Sequence, residues 1–209
     1  MPRSSSFAGV ILAAGESSRM GTDKALLPWP PPAAGQPAGD TFLSAAIRSL
    51  SFSTDFVVVV AGANLASLEP VVYANGALIV ANPDPSRGQF SSLRIGLHEV
   101  LNRGRDAALI TLVDRPRANQ ATIELLHTAF AAAEQNVWAV VPEFSGRHGH
   151  PFIAGRELIE AFLRAPATGN ARDVEHLHQS NIEYIPVNDP FVALNINTPE
   201  DYADLAAKV

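Results

Sequence analysis

Cysteine is absent from all 209 residues. That excludes disulfide staples, thiolate metal sites and a cysteine nucleophile, and it suits the reducing cytoplasm where the protein is expected to reside. Long apolar runs are missing too: nothing approaches the roughly 18–20 residues that a membrane span needs, so no membrane association is expected. The run 7–14, after Arg3, has the outline of a short signal-peptide core. Glu16, Arg19, Asp23 and Lys24 follow it without a convincing cleavage region, and it is read as a strand. Positive charge is scarce as well. With 15 basic against 21 acidic side chains the net charge is −6, which argues against nucleic-acid binding and leaves room for one small basic pocket. No Gly-x-Gly occurs, which removes the dinucleotide-binding fingerprint. Neither Gly15 nor Gly21 is followed directly by Lys-Ser/Thr, as the ATPase-type P-loop requires.

What is present alternates. Short aliphatic runs at 10–14, 56–61, 77–81, 107–113, 137–141 and 182–187 read as strands. Between most of them lie stretches of helical spacing. Leu43, Ala46, Ile47 and Leu50 make one apolar face, Phe90, Leu93, Leu97, Val100 and Leu101 a second, and Ile123, Leu126, Phe130 and Ala133 a third. Near-continuous apolar strands alternating with amphipathic helices predict a single α/β domain over 1–209, its mostly parallel sheet covered on both sides. Such a sheet binds ligands beyond the carboxyl ends of its strands. The biased segment 30–39, PPPAAGQPAG, reads as a surface insertion.

The most informative stretch is 12–29, LAAGESSRMGTDKALLPW. Gly15 and Gly21 can take positive φ and let backbone N–H groups approach an anion. Arg19 offers a planar fork for phosphate oxygens, and Lys24 a compact charge where negative charge develops. A triphosphate suits this loop; the plainer reading of the same residues is a glycine-rich turn with two solvated cations.

The pattern L-A-A-G-x-S-x-R-M-G-x-x-K-x-L-L-P-W closely resembles the start of the nucleotidyltransferases that attach CMP or GMP to molybdenum cofactor. The resemblance implies a three-layer α/β/α, Rossmann-like sandwich of the nucleotide-diphospho-sugar transferase type. It implies that Leu12, Ala13, Ala14 and Gly15 meet the nucleotide, that Arg19 holds the β- and γ-phosphates, and that Lys24 lies near the α-phosphate. Family members using CTP resemble A-A-G at positions 13–15, whereas those using GTP more often read A-G-G. The methyl of Ala14 would crowd a purine, so the expected nucleotide is CTP.

Four later segments add to this. In 109–116, LITLVDRP, Asp114 closes an apolar strand, where a carboxylate is well placed to hold Mg²⁺, with Mn²⁺ as the alternative. A strand-end Asp capping a turn is the plainer reading. The family's similar L-V-D-Q-P segment implies that Asp114 is a metal ligand and, with Arg19 and Lys24, catalytic. Arg115 departs from the common Gln, placed to pair with Asp114 or a substrate phosphate. In 194–201, LNINTPED, Thr198, Pro199 and Asp201 spell a helix start. The resemblance implies that Asn197 is the second metal-side ligand, and it assigns Asn195 to the acceptor side. The segment 82–97 resembles a family run that lines the nucleotide pocket, which assigns contacts to Asn82, Gly88 and Ser91; serines that simply start a helix are the alternative. GRHGHPF, 146–152, resembles the family's G-x-x-G-H-P on the acceptor side and assigns His150 there. His176 and His178 form a second His-x-His, but on a helix i and i+2 do not share a face, so a surface pair is expected rather than zinc.

The reaction this implies is attack of the acceptor's phosphate on the α-phosphorus of an NTP, with pyrophosphate leaving and catalysis coming from positioning and charge. The implied partners are NTP and molybdopterin, with transient contact to the molybdoenzymes that receive the cofactor or to their chaperones. The alternatives are a GTP-dependent guanylyltransferase, a sugar-phosphate nucleotidyltransferase, and a nucleotide-binding regulator without turnover. The last is suggested by Arg115 and by the neutral Asn195 and Asn197.

Overall fold

The computed structural model describes residues 6–15, 17, 20–32 and 39–206. In chain order, β1 (Phe7–Ala13) is followed by the small hairpin β2 (Pro28–Trp29) and β3 (Asp40–Thr41). Next come α1 (Phe42–Ser51), β4 (Phe56–Ala61), α2 (Leu65–Ala74), β5 (Leu78–Ala81), α3 (Gln89–Asn102) and β6 (Ala107–Leu112). The remainder is α4 (Gln120–Ala132), β7 (Ala139–Phe144), β8 (Arg147–His148), β9 (Phe152–Gly155), α5 (Arg156–Arg164), α6 (Ala171–Leu177), β10 (Ile182–Pro186) and α7 (Pro199–Ala206). The main sheet runs β10-β7-β9-β6-β1-β4-β5. Its pairings are parallel except that β9 opposes β6 and β7, and β8 opposes β7.

β1 is buried along its whole length because both of its faces are covered. Phe7, Ile11 and Ala13 pack with Leu43 and Ile47 of α1 and with Ile123, Leu126 and Phe130 of α4. Ala8, Val10 and Leu12 face the other way, toward Phe90, Leu93 and Leu97 of α3 and Leu158 and Phe162 of α5. This double coverage explains why the strand reads as one apolar run instead of an alternation. α3 comes unusually near: a Cβ on Gly96 would sit 2.7 Å from Val10 Cγ1 and 3.1 Å from Val60 Cγ2. A larger residue at this point would push the helix off the sheet.

The expected three-layer α/β sandwich is therefore present, and the six apolar runs all become strands, with small shifts at their ends. β9 is not among those runs. Four residues between Pro151 and α5 are too few for a period to show, and the reversed strand is held by pairing on both sides. The insertion expected at 30–39 is closed at its base by β2 pairing with β3; its residues 33–38 lie outside the described residues.

A separate small core consists of Trp29, Phe42, Ala45, Ile196 and Leu205. Trp29 meets Phe42 and Phe191 edge-on at 5.2 and 6.0 Å between ring centroids, and Tyr202 Oη donates to the Pro28 carbonyl at 2.9 Å. These contacts lay the C-terminal segment against the end of the first motif. The expected start of α7 is in place: Asp201 N donates to Thr198 Oγ1, while Asp201 Oδ2 accepts from Thr198 N and Asn197 N. Among the described residues no helix is long and apolar enough to cross a membrane.

Candidate active site

β1, β4 and β6 are parallel, so the segments following Ala13, Ala61 and Leu112 leave the sheet at one edge. The loop after β1 carries Lys24 back toward that edge. Its backbone N–H donates to Ser17 Oγ at 3.1 Å, and Asp23 caps the next turn by accepting from Ala25 N at 3.0 Å. Asn64, at the start of α2, fixes the loop from the other side. Its Nδ2 donates to Asp23 Oδ2 at 2.7 Å and to the Ala13 carbonyl at 3.0 Å, and its Oδ1 accepts from Gly62 N. Gly62 permits the close approach, since a Cβ there would lie 2.8 Å from the Ala14 carbonyl oxygen.

Held in this way, Lys24 reaches three oxygens. Its Nζ donates to Asp114 Oδ2 at 3.1 Å and to the Ile196 carbonyl at 3.1 Å, and lies 3.5 Å from Asn197 Oδ1. Ile196 N in turn donates to the Asp114 carbonyl at 3.0 Å. The Lys24 side chain is 13% exposed and that of Asp114 25%, so the pair is shielded from water without being sealed.

A cavity of about 370 Å³ opens above this knot, lined by Leu12, Ala14, Gly15, Lys24, Asp114 and Asn197. Gly88, Gln89 and Ser92 also line it. Gly88 has φ 88° and turns the chain into α3, whose amino end presents free N–H groups and the positive end of the helix dipole to an anion. Seven of the expected nucleotide and metal residues thus meet in one place. Ala13, Asn82 and Ser91 are not among the lining residues. Asn82 spends its amide inside the protein, with Nδ2 donating to Ser91 Oγ and Ser92 Oγ and Oδ1 accepting from Asp84 N. It shapes the turn between β5 and α3. Arg19 lies outside the described residues.

A second cavity, of about 740 Å³, adjoins the first and shares Leu12, Gly88, Gln89 and Leu112 with it. Its polar lining includes Arg87, Arg115, His150, Arg172, Asp173 and Glu175, and its apolar surface Phe90 and Phe152. His150 is in this wall, with Nδ1 3.4 Å from the Ile110 carbonyl. Burial, reinforced by the Arg115 guanidinium, lowers its pKa to about 3, so the ring is neutral at ordinary pH. Asn195 is exposed and lines neither cavity. Of the second histidine pair, His176 is exposed, while His178 is half-buried against Trp138, 4.6 Å between ring centroids.

The residues around Lys24 fit a hard divalent cation of the open, substrate-completed kind. Asp114 Oδ1 is buried without a hydrogen-bond partner, and Asn197 Oδ1 is an oxygen donor beside it. Among the described residues no cluster of three or more His, Cys, Asp or Glu could enclose a metal, so phosphate oxygens and water would have to complete the shell.

Several supporting residues escape sequence reading. Asp23 and Asn64 are ordinary loop residues whose partnership spans 41 positions. Asp189 is 1% exposed and fully bonded, with Oδ2 accepting from Asn119 N and Thr122 Oγ1 and Oδ1 from Phe191 N. It pins the segment that carries Asn197 to α4. An acid just before Pro190 is the one available signal, and it reads equally well as a turn.

The family model described as "MobA-like NTP transferase domain" matches residues 9–182. Molybdenum cofactor cytidylyltransferase of Escherichia coli (strain K12) is 25% identical over 194 residues, 92% of each chain. Probable molybdenum cofactor guanylyltransferase of Mycobacterium avium (strain 104) is 30% identical over 208 residues, covering 99% of this chain and 98% of that protein. Among solved structures, Rv0371c from Mycobacterium tuberculosis H37Rv superposes with a TM-score of 0.77 at 26% identity, 97% of each chain being covered. A complex of Rv0371C with manganese gives 0.75 at 23% identity, covering 98% of this chain and 100% of that one. The cavity at the sheet edge and these relationships agree: the chain is a nucleotidyltransferase and belongs to the MobA-like NTP transferase domain family.

Proposed function

We propose that the protein transfers CMP from CTP to the phosphate of molybdopterin and releases pyrophosphate, in the reducing cytoplasm that its cysteine-free composition suits. The observation that carries this reading is the Lys24–Asp114 contact at the floor of the cavity that Ala14, Gly15 and the amino end of α3 enclose. An oxygen of the acceptor phosphate attacks the α-phosphorus while the bond to the bridging oxygen breaks, and that oxygen leaves on pyrophosphate. Lys24 offsets the charge that builds on the α-phosphate, and the first-turn N–H groups of α3 bind phosphate oxygens. Arg19 is assigned to the leaving pyrophosphate. A divalent ion, Mg²⁺ or Mn²⁺, held by Asp114 and Asn197 would neutralise phosphate charge when bound. No general base is required, because a phosphate monoester is already a nucleophile near neutral pH.

Base choice rests on Ala14, which is buried in the cavity wall. GTP is the second reading, favoured by the higher identity to the Mycobacterium avium protein than to the Escherichia coli one. Calorimetric binding of CTP, GTP, UTP and ATP with Mg²⁺ separates the two. CTP is expected to bind most tightly, and Ala14→Gly to move the preference toward GTP by about 3- to 10-fold, the scale of one methyl group in a pocket. Failure to bind any nucleotide, or pyrophosphate release that survives Lys24→Ala and Asp114→Ala, overturns the reading.

A further inference from the structure

Arg115 is a cation beside the reaction centre that does not line the nucleotide cavity. It follows Asp114 directly, yet the two form no ion pair: Asp114 Oδ2 is engaged by Lys24, and Asp114 Oδ1 has no partner. Nη1 of Arg115 donates to the Val192 carbonyl at 3.1 Å. Nε is buried without a hydrogen bond, and among the described residues Nη2 makes none either. A half-buried guanidinium with most of its donors unused carries a desolvation cost that its protein partners do not repay. A tetrahedral dianion would repay it, because Arg presents a planar fork of donors that matches phosphate oxygens.

Its surroundings say which anion. Arg115 lines the second cavity, which joins the nucleotide cavity along Leu12, Gly88, Gln89 and Leu112. It also lines a third cavity of about 300 Å³, which continues past His150 and Glu175 to His148 and Tyr184. The second and third cavities share Arg115, His150 and Glu175, so the three form one trough, with Arg115 where the middle cavity meets the outer arm. Beside it His150 is neutral at ordinary pH and supplies no charge, while Arg87, Arg172, Asp173 and Glu175 line the same cavity. Any molecule in the outer arm that turns a phosphate toward the nucleotide brings it past Arg115.

We infer that Arg115 binds the phosphate of the acceptor, through the donors its protein contacts leave free, and so aligns the attacking oxygen. This rests on the nucleotidyl-transfer reading above and names within it a residue that recognises the acceptor. The probe is phenyl phosphate, a plain phosphate monoester, titrated into protein saturated with Mg²⁺ and a CTP analogue whose α–β bridge cannot be cleaved. The wild type is expected to bind it. Arg115→Gln, which removes the charge, should weaken that binding by about 10- to 100-fold, the range for a charge-assisted contact, and Arg115→Lys should fall between. Affinity for the CTP analogue should stay within about 3-fold in both variants, which a general loss of structure would not allow.

Equal phenyl phosphate affinity in the wild type and Arg115→Gln, with the analogue bound in both, overturns the role of Arg115 alone. Failure of the wild type to bind the analogue overturns the transfer reading and the inference with it. A misfolded Arg115→Gln leaves the wild type itself as the test, through the ¹⁵N resonance of Arg115 Nε. A shift on adding phenyl phosphate supports the assignment, and an unmoved resonance overturns it.

Discussion

Lys24 holds the ground that the proposed divalent ion would need. Its Nζ is 3.1 Å from Asp114 Oδ2, 3.1 Å from the Ile196 carbonyl and 3.5 Å from Asn197 Oδ1, which gathers three oxygens round an ammonium. Two unit charges about 4 Å apart interact by about 4 kcal/mol at an effective dielectric near 20, and a divalent partner doubles the repulsion. The lysine side chain is 13% exposed, so it has a path outward and can relieve most of that cost by moving. The nucleotide-free protein should therefore bind Mn²⁺ weakly, with phosphate charge needed to bring ion and ammonium together. Lys24→Met keeps the apolar stem and deletes the charge. Electron paramagnetic resonance of free Mn²⁺ should then show nucleotide-free affinity rising by about 10- to 100-fold, the part of the repulsion that movement does not relieve. Turnover with CTP should fall by at least about 100-fold, the usual cost of losing a preorganised group at developing charge. Tighter ion binding together with lost catalysis is an outcome that misfolding cannot mimic. Unchanged or weaker Mn²⁺ binding in Lys24→Met would refute the argument, because Asp114 and Asn197 would then not be where the ion sits.

Two further predictions concern the scaffold. Asp189→Asn puts an amide where three donors converge on a buried carboxylate, and should lower unfolding free energy in urea by about 2–4 kcal/mol; a loss under 1 kcal/mol would mean the segment is held by other contacts. His150 is neutral in the folded chain down to a pKa of about 3, whereas the unfolded chain takes up the proton below the ordinary 6.5. Its contribution is therefore complete above pH 6.5 and is lost as pH falls toward 3, by up to about 1.4 kcal/mol per pH unit. Arg87, Arg115, Arg172, Asp173 and Glu175 line the same cavity, so the measurement is the difference in slope between the wild type and His150→Phe between pH 6.5 and 5; identical slopes would refute it.

The parts of the molecule that sequence reveals are those whose physical cause is local. β1 reads as a strand because both faces are buried, and the helix at Pro199 reads from a cap, a proline and an acid within four positions. The cavity residues Leu12, Ala14, Gly15 and Gly88 follow from the resemblance of their motifs, in loops where ligands bind beyond the strand ends. Asn82 shows the limit of that reading. It sits in the expected place, but its amide turns inward to two serines, and no local pattern distinguishes a residue that touches a ligand from one that shapes the turn. Asp23, Asn64 and Asp189 stayed hidden because each matters only through a partner brought near by the fold. β9 was hidden because its order comes from neighbours on both sides and not from its own four residues.

The knot at the sheet edge also changes the meaning of the neutral Asn197. In the sequence, an amide where the family pattern allows a carboxylate is a reason to suspect lost turnover. In the structure, Asp114 and Lys24 already balance one another, and Ile196 ties them together by donating through its N–H to Asp114 and accepting through its carbonyl from Lys24. A second carboxylate at 197 would add an acidic group to a half-buried cluster in which Lys24 is already paired with Asp114. That charge would be compensated only while a metal is bound. An amide contributes the same kind of oxygen without that cost, and it leaves the Lys24–Asp114 pair undisturbed between turnovers. Asn197→Asp should therefore tighten nucleotide-free Mn²⁺ binding and lower thermal stability in the absence of metal. Tighter Mn²⁺ binding with no loss of metal-free stability would instead mean that the Lys24–Asp114 pair does not set the resting balance of the site.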